Sequence, residues 1–86
     1  MKVTNIWGVK NQVVIEHKGN IYFQSYRTII AKKTKGKIFL DKEKWDYSAT
    51  TGKYRNLFLG EKIADTRKKI ESGEYKLIDL NDNYLI

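Results

Sequence analysis

Hydrophobic and polar residues alternate with a period of two through the first half of the chain and with a period of three to four further on. In Gln12-Val13-Val14-Ile15-Glu16-His17, Val13 and Ile15 share one face while Gln12, Val14 and Glu16 share the other, the repeat of a β-strand. Lys18-Gly19-Asn20 predicts a turn, because Gly and Asn tolerate the positive φ that tight hairpins require. Ile21–Tyr26 reads as strand, with Ile21, Phe23 and Ser25 opposite Tyr22, Gln24 and Tyr26, and Arg27–Ala31 prolongs it after a bend or bulge. Lys32–Gly36 predicts a second turn, Lys37–Leu40 a third strand, and Lys44–Tyr47 is a candidate fourth. The region from Asn11 to Leu40 is thus expected to be a β-meander.

From Ser48 the pattern changes. Tyr54, Leu57 and Phe58 are spaced three and four apart, as on one face of a helix. Ser48 is placed to cap its start and Gly60 to stop it. A strand over Lys53–Leu59 is the competing reading, since Tyr54, Asn56 and Phe58 also alternate; the helix is favoured. Glu61–Ser72 predicts a helix with Ile63, Arg67 and Ile70 in one stripe, widened by Ala64, and Glu61 at the positive end of its dipole. Gly73 ends it and Tyr75–Leu80 reads as a closing strand. Asn81-Asp82-Asn83 follows as a turn, with Tyr84-Leu85-Ile86 an apolar end. The expected fold is α+β: an antiparallel meander of three to four strands packed on one or two helices of the C-terminal half, with a closing strand. Tyr54, Leu57, Phe58, Ile63 and Ile70 are expected to face the sheet. The whole chain reads as one small domain, ordered from about residue 5 to 80, with no repeat or linker.

Composition narrows the chemistry. The 86 residues contain no Cys and one His, so neither a disulfide framework nor a Cys/His zinc site is available. Stability must come from apolar packing, with a second subunit as a further source in so small a chain. No segment reaches the ~20 apolar residues that span a bilayer, and Met1–Trp7 does not look like a signal peptide. A cytoplasmic protein away from membranes is expected. The net charge is +7, and it is uneven: residues 1–60 hold 12 Lys/Arg against four acids, residues 61–86 five against six. Such a field draws polyanions and acidic protein surfaces alike.

No catalytic constellation emerges. Ala49-Thr50-Thr51-Gly52-Lys53 resembles the end of a phosphate loop, but Tyr47 stands where the first glycine belongs and Tyr54 where a Ser or Thr would hold Mg²⁺. Asp41, Glu43 and Asp46 alternate with Lys42 and Lys44 in the manner of a solvated turn. His17 sits at a strand end and leaves no paired general base. The reading is a non-enzyme with no catalytic residue, no metal and no cofactor. The candidate anion or partner surface is Arg27, Lys32, Lys33, Lys35 and Lys37 with Lys53 and Arg55. Tyr22 and Tyr26 are candidate aromatic contacts beside it, as are Trp45 and Tyr47, whose mix with Arg55 suits a binding hot spot. The alternative for Trp45, Tyr47, Tyr54 and Phe58 is core packing, with an Asp46–Arg55 ion pair at the junction of strand and helix.

Tyr22-Phe23-Gln24-Ser25-Tyr26, Ile30-Ala31, Trp45-Asp46-Tyr47-Ser48, Thr50-Thr51-Gly52-Lys53-Tyr54-Arg55-Asn56, Phe58-Leu59-Gly60 and Gly73-Glu74-Tyr75 together resemble a family of small uncharacterised proteins of tailed bacteriophages. The likeness covers residues 11–81 and is most distinctive from Trp45 to Gly60. It lends no activity, cofactor or site residue. It implies a phage or prophage source, and small phage proteins often bind host machinery or defence complexes that handle nucleic acid. Two functions are therefore expected. The first is an inhibitor or adaptor docking on a host or phage protein, or on a protein–nucleic-acid complex with an acidic surface. The alternative is direct binding of DNA or RNA.

Overall fold

The computed structural model describes residues 1–81. The elements run β1 (Lys2–Thr4), β2 (Gln12–His17), β3 (Asn20–Ser25), β4 (Thr28–Thr34), β5 (Lys37–Asp41), α1 (Ala49–Leu59), α2 (Ile63–Glu71) and β6 (Tyr75–Ile78). The strands form one sheet in sequence order, antiparallel from β1 to β5, with β6 added parallel to β5 after the two helices. The fold is α+β as expected, but the sheet has six strands rather than three or four.

Backbone conformation explains one of the extra strands; β1 is not predicted by the sequence pattern at all. Lys18-Gly19 and Lys35-Gly36 have positive φ at both positions (50° and 80°; 48° and 77°), the requirement of the two-residue turn that matches strand twist. Between β3 and β4 the turn is made by Tyr26 and Arg27, with Tyr26 at φ 58°. A bulky residue rarely takes that conformation, so no Gly or Asn marks this hairpin and the expected single strand from Ile21 to Ala31 divides in two. Tyr26 is held there by its N–H, which donates to the Asn11 carbonyl at 2.7 Å. β4 then runs on to Thr34, which makes Lys32 and Lys33 strand residues instead of turn residues. Trp45–Tyr47 is not a strand. Buried Asp41 holds the connection after β5 in a turn, its carboxylate accepting from the amides of Lys44 and Leu80 at 2.9 Å and of Glu43 at 3.3 Å. The Asn81-Asp82-Asn83 turn and the Tyr84–Ile86 end lie outside the described residues, apart from Asn81.

Both helices pack on one face of the sheet. There Val14, Phe23, Ile30, Ala31, Leu40, Phe58 and Tyr75 form the core, with Trp7, Trp45, Tyr54 and Ile70 against it. Trp7, from the β1–β2 connection, meets Phe23 edge-on at 5.5 Å and Tyr54 at 5.3 Å. Ser48 caps α1 by accepting from the Thr51 amide, and Gly60 ends it in the left-handed region.

The inner face of α1 is Thr51, Gly52, Arg55 and Phe58. Leu57, expected inside, is 54% exposed. Arg55, expected on a surface, is 1% exposed. Its guanidinium donates to the Trp45 carbonyl at 2.8 Å, Asp46 at 3.0 Å and Asn56 at 3.0 Å, and lies 5.2 Å from the Trp45 ring. A Cβ on Gly52 would come within 3.6 Å of it. In α2 the buried residue is Thr66 and Ile70 packs on the core, while Ala64 and Arg67 are exposed.

Arg55→Ala would leave a cavity beneath α1 and strip the Trp45 carbonyl of its donor, while Asp46, 32% exposed, keeps access to water. It is expected to cost about 2–5 kcal/mol and Leu57→Ala less than about 0.5 kcal/mol, as read by urea unfolding.

Candidate functional site

The face of the sheet away from the helices is the candidate site. The strand registers pair Val3 with Ile15, Ile15 with Tyr22, Tyr22 with Lys32, Lys32 with Phe39 and Phe39 with Lys76. Paired residues share a face, so Val3, Ile15, Tyr22, Lys32, Phe39 and Lys76 form one row across all six strands. The row is apolar at the β1 end, basic at the β6 end, and contains no acid. Lys32 stands between two rings, 5.8 Å from Tyr22 and 5.9 Å from Phe39.

Beyond β6 the chain crosses back over this face. Leu80 is fixed by its amide bond to Asp41. The Asn81 side chain imitates a strand partner, accepting from the Ile29 amide at 2.8 Å and donating to the Ile29 carbonyl at 3.0 Å. Leu80 thereby packs on Tyr22 and Ile29 in a second, smaller apolar cluster. A groove of about 430 Å³ remains between this segment and β1. Ile15, Tyr22, Ile29 and Leu80 line it, with Met1 and Val3 on the β1 side. His17, Gln24, Arg27 and Asn81 supply its polar groups.

The predicted basic surface is divided by the fold. Arg27, Lys32 and Lys37 belong to the open face or its rim. Lys35 is at the tip of the β4–β5 turn, and Lys53 is exposed on α1, 5.4 Å from the Tyr54 ring. Lys33, adjacent to Lys32 in a strand, points to the helices, donates to the Phe58 carbonyl at 2.7 Å and lies 4.3 Å from the Phe58 ring. Burial lowers its pKa, against the opposing pull of Glu61. Arg55 is interior and joins no surface.

The aromatic candidates divide as well. Tyr22 is only 4% exposed, so its ring offers no free stacking face. Tyr26 and Tyr47 are exposed, the latter beside Lys44, and Trp45 is packed on the core. Sequence reasoning missed the groove itself, and with it Val3, Ile15, Ile29 and Leu80. It also missed Phe39 and Lys76, which join the row only because β6 docks beside β5. Alternation in β2 carried a signal for Ile15; nothing local marked the others.

A second polar cluster is structural. Glu61 Oε1 accepts from Lys69 at 2.7 Å and from the Tyr75 hydroxyl at 2.9 Å, and Oε2 accepts from the Thr66 hydroxyl at 2.6 Å. Burial pushes the Glu61 pKa up, but these hydrogen bonds and the Lys69 charge outweigh it and the net shift is down. The same hydrogen bond to Glu61 raises Lys69, while burial and then Glu61 raise Tyr75. Both carboxylate oxygens are engaged in tying the α1–α2 connection and α2 to β6. Among the described residues no cluster of three His, Asp or Glu is arranged to hold a metal, and no helix is long and apolar enough to cross a membrane.

The chain belongs to a family of unknown function, DUF8033, whose model matches residues 1–76. The matched span contains the complete cross-sheet row and stops short of Leu80 and Asn81. No curated protein and no solved structure matches the chain significantly.

The Glu61 cluster sets a pH dependence. A carboxylate whose folded pKa is depressed contributes stability above its unfolded value, near ~4.3, and loses that contribution as pH falls through the lower folded value. Glu61→Gln is expected to lower stability at neutral pH by about 2 kcal/mol and to flatten the decline below about pH 4.3, as measured by denaturant unfolding across pH.

Proposed function

We propose that the protein is a small, basic, non-catalytic binding protein of phage type. It acts as an inhibitor or adaptor, docking the open face of its sheet on a host or phage protein or on a nucleic-acid-handling complex, as in host takeover or evasion of host defence. The setting is the cytoplasm of an infected bacterium. The observation that carries this reading is the row Val3, Ile15, Tyr22, Lys32, Phe39 and Lys76, apolar at one end and cationic at the other without an acid. An apolar patch beside uncompensated cations suits a protein surface that is itself apolar and acidic. The sequence resemblance from Trp45 to Gly60 supports the phage setting.

Direct nucleic-acid binding is the second reading, favoured by the half-buried Phe39 ring between Lys32 and Lys76. It is weakened by the burial of Tyr22, because single-strand binders stack bases on exposed rings.

The test uses the charged half of the row. Lys32→Glu with Lys76→Glu is expected to weaken capture of a nuclease-treated host protein by about ten-fold or more while leaving the unfolding midpoint nearly unchanged. Lys33 is left intact, since its bond to Phe58 supports the fold. Capture unaffected by the double reversal would remove the open face from consideration. Binding to short single-stranded DNA or RNA at physiological salt, falling steeply as salt rises, would establish the second reading.

A further inference from the structure

Building on the protein-binding reading, we propose that the groove between β1 and the Leu80–Asn81 segment receives an extended acidic segment of the partner. One aliphatic or aromatic side chain of that segment seats against Val3 and Ile15, over the buried Tyr22, Ile29 and Leu80, and a carboxylate sits beside Arg27.

Dimensions, charge and chemistry agree on this occupant. The groove spans β1 to β4, and three inter-strand gaps of ~4.8 Å give a floor of roughly 14 Å. That is the reach of about four extended residues at ~3.5 Å each. A volume of about 430 Å³ lies toward the lower end of the roughly 300–1,000 Å³ of small-ligand sites, enough for one or two large side chains and too little for a folded element. None of the described lining residues is acidic, and Arg27 is exposed in its turn with no carboxylate partner among the described residues.

Two other occupants fit less well. A second copy would set Arg27 and Lys32 against their own counterparts, and the one acid that the described strands place on this face, Asp41, is buried and committed to backbone amides. A nucleic acid would find a largely aliphatic floor in which Tyr22 is 4% exposed. An apolar anchor flanked by carboxylates uses both the floor and the cationic rim.

The experiment is a methyl NMR titration of the full chain with an acetylated hexapeptide of alternating glutamate and leucine. Its lysine–leucine counterpart and hexaglutamate serve as controls. Saturable shifts are expected at the methyls of Ile15, Ile29 and Leu80, with an affinity about ten-fold or more above that of hexaglutamate and no response to the lysine peptide. Ile15→Asp should abolish the shifts at Ile29 and Leu80. Arg27→Glu, in an exposed turn, should weaken binding about ten-fold with the spectrum otherwise unchanged, and so serves if the first variant fails to fold.

Several results would overturn the proposal. Hexaglutamate binding as tightly as the leucine peptide would reduce the site to charge alone. Shifts of these methyls with protein concentration would give the groove to a second copy. Movement of the same methyls on replacing Tyr84 and Leu85 with serine, with no response to peptide, would give it to the chain itself. Partner capture lost with Lys32→Glu and Lys76→Glu but kept with Ile15→Asp and Arg27→Glu would sink the groove and leave the binding reading standing. Capture kept with all four would sink both.

Discussion

The buried guanidinium of Arg55 is the constraint around which the helical layer is arranged. A charge taken out of water is costly unless its donors are matched closely. Here the match for its two terminal nitrogens comes from the connection that leads into α1, through the Trp45 carbonyl, the Asp46 carboxylate and the Trp45 ring, with Asn56 alongside, while Nε has no partner among the described residues. The guanidinium therefore fixes the path of residues 45–48 against the first two turns of the helix. Gly52 lies against it, and Phe58, one turn on, is set over Phe23. Asp46 also reaches Arg67 at 3.4 Å, which links the same junction to α2. The dense mixture of aromatic, hydroxyl and charged residues from Trp45 to Asn56 is largely accounted for by this internal network.

Three acids of the chain, Asp41, Asp46 and Glu61, are committed to contacts that define its elements. Asp41 holds backbone amides of the β5–α1 connection and of Leu80; Asp46 holds Arg55; Glu61 joins Thr66, Lys69 and Tyr75. Their oxygens are committed to hydrogen bonds that define the ends of elements. Cations such as Arg27, Lys37 and Lys76 meanwhile remain on or beside the open face.

Adjacent residues can have opposite fates in such a sheet. Lys32 and Lys33 are neighbours in β4, yet one stands between Tyr22 and Phe39 on the open side and the other supports the end of α1 from beneath. The bulge opposite Phe23 and Gln24 places Ile30 and Ala31 both on the helical side. It also leaves Ile29 on the other face, where Asn81 pairs with its backbone. One irregularity in register thereby helps to build both the core and the wall of the groove.

The sequence by itself determined the elements whose cause is local. The alternation of Gln12–His17, the Lys-Gly turns, the Ser48 cap and the Gly60 stop each state their structure through backbone preference, and the α+β class follows from them. The Asp46–Arg55 pair was legible as chemistry, but its burial was not. Tertiary structure decided what depended on distant partners. The Tyr26 turn has no glycine to announce it and is held by Asn11 from the β1–β2 connection. The inner face of α1 is Thr, Gly, Arg and Phe, a stripe that no hydrophobic period reveals, because Arg55 becomes an interior residue only where Trp45 and Asp46 neutralise it. The candidate site was readable as a basic surplus and unreadable as a place. Val3, Lys76 and Leu80 reach it only when the order of six strands and the return of the chain over the open face bring them together.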